Sequence, residues 1–306
     1  MDRRRPDPRS TLGGRERASR SSGRGDLKAT LLVTCVQIAC ITGCTSSPNP
    51  LTPNHSGSIG LPHKGTLEGG VELPDTAPGL ARLRHDPRKY GVPRLVESIV
   101  RAAKLVDERL PGGTLVVGDL SAPRGGDVSG HASHRTGRDA DLLFYVTTLE
   151  GVPVKSPGFL TFARDGLAYE KDLKTFYRFD VEREWLLLKT LVEDPNANVQ
   201  FLFVHETIEA ILLQWARARG EPTETIFRAM NMMLRPTHSQ PHDDHVHLRT
   251  ACLPEETEHG CIPSGPAWPW LSHRDRTSQT SRASTTLDPT VLNDDPSFEP
   301  TKPLRR

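Results

Sequence analysis

The sequence predicts an α+β domain set between disordered ends. Three observations carry this: recurrent helical periodicity, two alternating strand patterns that carry imidazoles and carboxylates, and polar, apolar-poor segments at both termini. The chain has 306 residues with 26 prolines, 6% aromatic side chains and a formal net charge of +1. So small a net charge creates no global field for nucleic acid. A proline-rich, aromatic-poor composition favours one core with disordered flanks over two full domains.

Residues 1–28 are basic and polar, and an apolar run over 29–43 ends at Cys44. The run is short for a membrane span, and basic, then apolar, then small residues is the order of a secretory signal. Ile41-Thr-Gly-Cys44 resembles a bacterial lipobox, which implies cleavage before Cys44 and acylation of its thiol. Residues 1–43 are therefore expected to be a signal peptide, and 44–57 an acylated cysteine with a flexible tether. The folded domain is expected over 58–271 and a disordered tail over 272–306.

Within the domain, Pro93 opens a helical pattern through Val96, Ile99, Val100, Ala103, Val106 and Leu110, ended by Pro111-Gly-Gly. Residues 114–117 read as a short buried strand and 118–126 as a loop. Residues 138–146 read as a strand, followed by an irregular charged insertion to about Arg178. Asp180 is placed to cap a helix through Trp185, Leu188 and Leu191, stopped at Pro195. Residues 200–204 read as a strand and 206–219 as an amphipathic helix ended by Gly220. Thr223 is placed to cap another helix, whose Met230, Met232 and Met233 read as core. Cys252 and Cys261 lie far from the other cysteines and read as one disulfide formed in an oxidising compartment.

The chemistry concentrates in two stretches. Residues 129–141 read Ser-Gly-His-Ala-Ser-His-Arg-Thr-Gly-Arg-Asp-Ala-Asp, and residues 241–249 read Pro-His-Asp-Asp-His-Val-His-Leu-Arg. Strand side chains alternate faces, so Asp139, Asp141, Leu143 and Tyr145 share one face and Ala140, Leu142, Phe144 and Val146 the other. By the same rule His245, His247 and Arg249 share a face. Two such strands side by side would present a carboxylate and two imidazoles to one cleft. Catalytic zinc takes three protein ligands and keeps an open position for water. His134, Asp141 and His247 make such a set for one Zn2+ ion, with Gly137 turning the chain between loop ligand and strand ligand. His131, His242 and His245 remain as neighbours. His245 is placed for proton transfer or for stabilising a tetrahedral intermediate. Asp139 is expected to orient a histidine or bond the backbone. Arg249 is expected to bind a substrate carboxylate or to form a structural ion pair. His205-Glu-Thr-Ile-Glu209 fails as a zinc helix because its fifth residue is not histidine, and reads as a solvated helix start.

The pattern Ser-His-x-x-Gly-x-x-x-Asp over 133–141, followed by His-x-His over 245–247, resembles the lysostaphin, D-Ala-D-Ala peptidase and hedgehog-like metallopeptidases. Within them the chain is most similar to the penicillin-insensitive murein endopeptidases. That likeness rests on Gly-His-Ala-Ser-His-x-Thr-Gly-x-Asp-x-Asp over 130–141 and His-x-x-His-x-His-x-Arg over 242–249. Ser58-Ile-Gly, Arg88-Lys-Tyr-Gly and Val117-Gly-Asp add to it.

The resemblance implies a small antiparallel sheet carrying the ligands. It also implies His134, Asp141 and His247 as zinc ligands, His131 as a further metal-site histidine, and His242 and His245 as functional histidines. The implied activity is hydrolysis of D-alanyl–diaminopimelate cross-links in peptidoglycan, in the periplasm, from a membrane lipid anchor at Cys44. A D,D-carboxypeptidase or dipeptidase on the same scaffold, and a non-catalytic zinc-bound domain that binds peptidoglycan, stay open at this point. The residues between Val146 and Asp180 depart from the family pattern, and no second metal site is assigned.

Overall fold

The computed structural model describes residues 57–235 and 240–271. The expected signal segment, Cys44 with its tether, and the tail from 272 lie outside the described residues.

A seven-stranded mixed sheet organises the domain. In spatial order its strands are Met233–Leu234, Val199–Phe203, His245–Thr250, Asp139–Leu143, Leu115–Val117, Leu80–Arg82 and Thr76–Ala77. Asp139–Leu143 is called the Asp strand below, and His245–Thr250 the His strand. The four central strands pair antiparallel, as expected. Towards the edges Met233–Leu234 and Leu80–Arg82 join in parallel, which makes the sheet larger and more mixed than the sequence suggested.

Among the described residues five helices accompany it: α1 (Pro93–Arg109), α2 (Val181–Glu193), α3 (Glu206–Ala218), α4 (Thr223–Met232) and the short α5 (Pro254–Glu258). Proline at the first position of α1 loses nothing, since that N–H has no helical partner. The helix closes at Leu110, whose N–H bonds the Val106 carbonyl at 2.8 Å, and Pro111 cannot extend it. Asp180 caps α2 as expected, accepting the Arg183 N–H at 3.3 Å. Thr223 does not cap α4. Pro222, extended at ψ 131°, takes the flanking position, and Thr223 becomes the first helical residue. Helix and sheet share one apolar core. Leu95, Ile99, Val106, Trp185, Leu188, Ile208 and Leu212 pack with Val117, Ala140, Leu142, Leu202, Val246 and Leu248. At about 1.5–3 kcal/mol for each large side chain fully buried, this layer supplies the main driving force. It also fixes which side of each central strand faces outward.

The insertion after the Asp strand is regular, contrary to expectation. Val146–Thr147, Pro153–Val154, Leu167–Glu170 and Thr175–Phe179 form a four-stranded antiparallel sheet. Its inner side is an aromatic cluster, with Phe144, Phe162 and Phe179 ring centroids 5.2–5.9 Å apart. Most of its strand residues stay half-exposed, so the alternation that marks a strand in sequence is weak. The Asp strand itself ends at Leu143. Beyond it the chain bends, and Phe144 and Tyr145 both enter the core, so Tyr145 does not share the face of Asp141 as predicted. Glu184 of α2 holds the bend by accepting the Tyr145 N–H at 3.0 Å. Asp180 donates its N–H to the Tyr145 carbonyl at 2.9 Å.

The far end of the His strand is tied down covalently. Cys252 and Cys261 form a disulfide, nine residues apart, closing a loop that contains α5. The same loop is pinned by the buried Arg94–Glu256 ion pair and by Arg94 donating to the Ala251 carbonyl at 2.7 Å.

Two features of the fold carry expected outcomes, the first being the disulfide. Replacing both Cys252 and Cys261 by alanine should lower stability by ~2–3 kcal/mol on the chain-entropy account of a loop this short, read by urea denaturation. Thiol labelling of the denatured, unreduced protein should find neither cysteine. The second concerns Glu184, whose carboxyl is pushed up to about 8 by burial, with the Tyr145 N–H opposing and Asp180 adding to the shift. A carboxyl that ionises near 4.5 when unfolded but stays protonated when folded gives its full stability below pH 4.5. That stability is lost as pH rises towards 8. Glu184→Gln should therefore flatten the fall of Tm between pH 5 and 8 relative to wild type, measured by circular dichroism.

Candidate metal centre and active site

The sheet's outward side is set by the register of its two central strands. His247 stands opposite Asp141, Arg249 opposite Asp139 and His245 opposite Leu143. The intervening Ala140, Leu142, Val246 and Leu248 all enter the helix-packed core. The predicted alternation is thus present, and it brings a carboxylate and two imidazoles from distant sequence to one floor. A loop adds His134. Its backbone takes φ +65°, and Gly137 follows at +74°. A Cβ at Gly137 would lie 2.6 Å from Leu67 Cδ1, so only glycine turns the chain here. The loop is anchored by Gly137 N–H to Ser121 Oγ at 2.8 Å and Arg135 N–H to the Pro62 carbonyl at 3.1 Å. His242 also has positive φ, at +56°. Left-handed backbone at two histidines of one cleft is the kind of local strain that functional sites store.

The side chains converge on Asp141. His134 Nε2 lies 3.2 Å from Asp141 Oδ1, and His247 Nδ1 and His245 Nε2 each lie 3.4 Å from the same oxygen. His131 Nδ1 is 3.7 Å from Asp141 Oδ2. The ligand-type atoms of His131, His134 and Asp141 lie within 4.8 Å of one another, and so do those of His242, His245 and His247.

Four imidazoles each engage a partner behind them with the nitrogen that does not face the cluster. His247 Nε2 bonds Asp139 at 2.7 Å, and His131 Nε2 bonds Asp119 at 3.0 Å. His245 Nδ1 bonds Asp244 at 2.5 Å, and His242 Nδ1 bonds the Gln240 carbonyl at 2.6 Å. Carboxylates and carbonyls only accept, so each of these nitrogens carries a proton. The opposite nitrogens of neutral rings are then lone pairs, held in place by an outer partner as is usual for metal-site histidines. His134 differs. Both its nitrogens and both Asp141 oxygens are buried with no hydrogen-bond partner. Buried polar atoms left unpaired cost free energy. A cation bound between them would satisfy them. Nitrogen and carboxylate donors at His134, Asp141 and His247 suit zinc, so the residues fit the expected ion.

The electrostatics divide the histidines. Burial pulls His242 down to about 3, helped by His247 and His245, and pulls His247 down to about 4. For His245 burial is outweighed by Asp141 and Asp244, which raise it to about 10. Burial would raise Asp139, but Arg249 and His247 hold it far below the carboxylate range. Asp141 is likewise low, through His134 and His245.

The expected residues are therefore together, with one displacement. Arg249 has no exposed surface and donates Nε–H to Asp139 at 2.6 Å, behind the histidines. A guanidinium so enclosed does not reach a substrate, and the ion-pair alternative is the one realised. Asp139 orients His247, as one of its two expected roles required. His205 caps α3, accepting the Thr207 N–H at 3.2 Å, and Glu209 is buried, so this helix start is less solvated than expected. Sequence reasoning left Arg84, Arg88, Asp119, Phe159 and Asp244 without roles, yet all line a cleft of about 550 Å³ beside Asp141 and the histidines. Arg88 and Asp119 stand in motifs noted for the family, and Asp244 adjoins His245. Arg84 and Phe159 carry no local signal.

Comparisons with known proteins agree with the geometry. The family described as penicillin-insensitive murein endopeptidase matches residues 58–269. A penicillin-insensitive murein endopeptidase of Haemophilus influenzae is 29% identical over 214 residues, 67% of each chain. One from Klebsiella pneumoniae is 42% identical over 88 residues, 28% of this chain and 32% of its own. One from Escherichia coli O1:K1 is 39% identical over 93 residues, 30% and 34% of the two chains. The chain thus spans about a third of the length of the last two relatives. A match over 58–269 encloses both histidine stretches and every strand of the central sheet, and on that ground the chain belongs to the penicillin-insensitive murein endopeptidase family.

Proposed function

We propose that the protein is a zinc-dependent murein endopeptidase that hydrolyses D-alanyl–diaminopimelate cross-links of peptidoglycan. The observation that carries this is the convergence of His134 Nε2 and His247 Nδ1 on the buried, otherwise unpaired Asp141 carboxylate, at the floor of an open cleft. In this reading His134, Asp141 and His247 hold one zinc ion, and His131 lies beside it. When bound, zinc polarises the scissile carbonyl and lowers the pKa of water from ~15.7 toward ~7.

The remaining steps belong to the chain. His242 Nδ1–H donates to the Gln240 carbonyl, which leaves Nε2 as a lone pair able to take a proton from attacking water. His245, whose Nδ1 is held by Asp244, turns its Nε2 toward Asp141 and the cleft. From there it stabilises developing negative charge on the carbonyl oxygen and can return a proton to the leaving amine. Arg249 and Asp139 act at one remove, fixing the His247 ring.

The reaction belongs in the cell envelope. The lipid anchor at Cys44 is part of this reading and rests on the lipobox and the basic-then-apolar leader alone. Among the described residues no helix is long and apolar enough to cross a membrane.

Digestion of purified muropeptides followed by mass spectrometry tests the activity: dimers should fall to monomers. Release of free D-alanine instead would indicate a carboxypeptidase, and unchanged dimers would overturn the enzyme reading. His134→Ala, Asp141→Ala and His247→Ala should each lose bound zinc by elemental analysis, because three protein ligands are the usual minimum. His245→Ala should keep most of its zinc and lose cleavage by ~10²–10⁴-fold. His242→Ala should behave in the same way. Cys44→Ala should release the protein from membranes in fractionation, or leave the precursor uncleaved.

A further inference from the structure

One wall of the cleft is cationic in a way the metal chemistry does not use. The Asp119 carboxylate, almost fully buried, is shared by three groups. It accepts from Arg84 Nη1 at 3.1 and 3.3 Å, from Arg88 Nη1 at 3.0 Å and from His131 Nε2 at 3.0 Å. Arg88 is paired again on its other side by Asp86. Arg84 is not similarly enclosed: its side chain is 43% exposed at the cleft wall. Its guanidinium lies over the Phe159 ring, 5.6 Å from the centroid, and the Phe159 ring stands edge-on to His245 at 5.3 Å. Arg84 is thus braced by a salt bridge on one edge and an aromatic face beneath, one ring away from a histidine of the reaction centre. A guanidinium so pre-organised matches a planar carboxylate with little further ordering cost. Asp243 and Asp244 line the cleft from the His242 loop, so an anion is repelled there and drawn to the Arg84 side.

We propose that Arg84 is the receptor for the free carboxylate that flanks the scissile amide, and that it sets both the orientation of the cross-link and the preference for un-amidated peptide. The inference rests on the murein endopeptidase reading, in which the residue supplying the scissile nitrogen carries a carboxylate on the same carbon. Arg88 and Asp119 hold Arg84 in place, and Phe159 spaces it from His245.

The test uses the zinc-loaded full chain and two defined muropeptide dimers, alike except that this carboxylate is free in one and amidated in the other. Wild type should cleave the free form with kcat/KM about 10–100-fold higher, the scale of a charge-assisted bidentate contact. Arg84→Gln should bring that ratio close to one, mainly through a higher KM for the free form, with zinc content unchanged. Arg84→Lys should restore part of the preference. If Arg84 serves only to brace Asp119 and His131, Arg84→Gln will weaken cleavage of both dimers by the same factor and keep the wild-type ratio, which overturns the proposal. Equal cleavage of both dimers by wild type overturns it as well, leaving the endopeptidase reading intact. Cleavage of neither by wild type removes both.

Discussion

The pairing of His247 with Asp141 across two central strands is the constraint on which the rest of the site depends. Strand side chains alternate with period two, so a slip of one residue in either strand would turn its own share of the site, Asp141 or the two histidines, toward the apolar core. The register is held from both sides. Behind the sheet, Ala140, Leu142, Val246 and Leu248 bury against the helices. In front, Arg249 and Asp139, one step along the same pair of strands, are locked by a fully buried ion pair. Breaking a pair of that kind leaves an uncompensated charge in the interior, which proteins tolerate poorly. Apolar burial selects the face, and the ion pair selects the step.

A second layer of acceptors turns a group of histidines into an ordered set. Asp119, Asp139, Asp244 and the Gln240 carbonyl each take one ring nitrogen and thereby decide where the other points. Three of those four acceptors lie on strands of the central sheet or within two residues of them. Asp119 follows the Leu115–Val117 strand, Asp139 opens the Asp strand, and Asp244 precedes the His strand. The sheet therefore places the outer partners by the same pairing that places the inner ones. The proposed division of labour between His242 and His245 follows their outer partners, a backbone carbonyl behind the first and the Asp244 carboxylate behind the second.

Much of this was legible in the sequence, because the relevant signals are local. Spacing within 129–141 and 241–249 marked the ligand-type residues, and period-two alternation put them on one face. α1 and α2 announced themselves by periodicity and by proline or an acidic cap at their starts, and α3 by periodicity and the Gly220 that follows it. What was not legible depends on distant partners. The small sheet over 146–179 carries few buried side chains in its strands, so its pattern is faint. Arg249 looked available because its neighbours were expected ligands, and only the three-dimensional placement of Asp139 shows it enclosed. Arg84 gains meaning through Asp119 and Phe159, 35 and 75 residues away in the chain. No local rule reaches that far. Thr223 was misplaced by a single residue because Pro222 also suits the flanking position.

The separation of the two central strands has a consequence for the life of the chain. Asp141 and His247 are 106 positions apart, and α2, α3, α4, the small sheet and the Val199–Phe203 strand lie between them. Contacts of such long span form late, since the closure entropy is lost before the contact rewards it. A growing or unfolded chain carries His131, His134 and Asp141 as one half of a centre whose other half has not yet arrived. The covalent closure at Cys252–Cys261 follows the second half immediately, at the point where the sheet is completed. Assembled in this order, the candidate centre is complete only once the His strand has paired with the Asp strand.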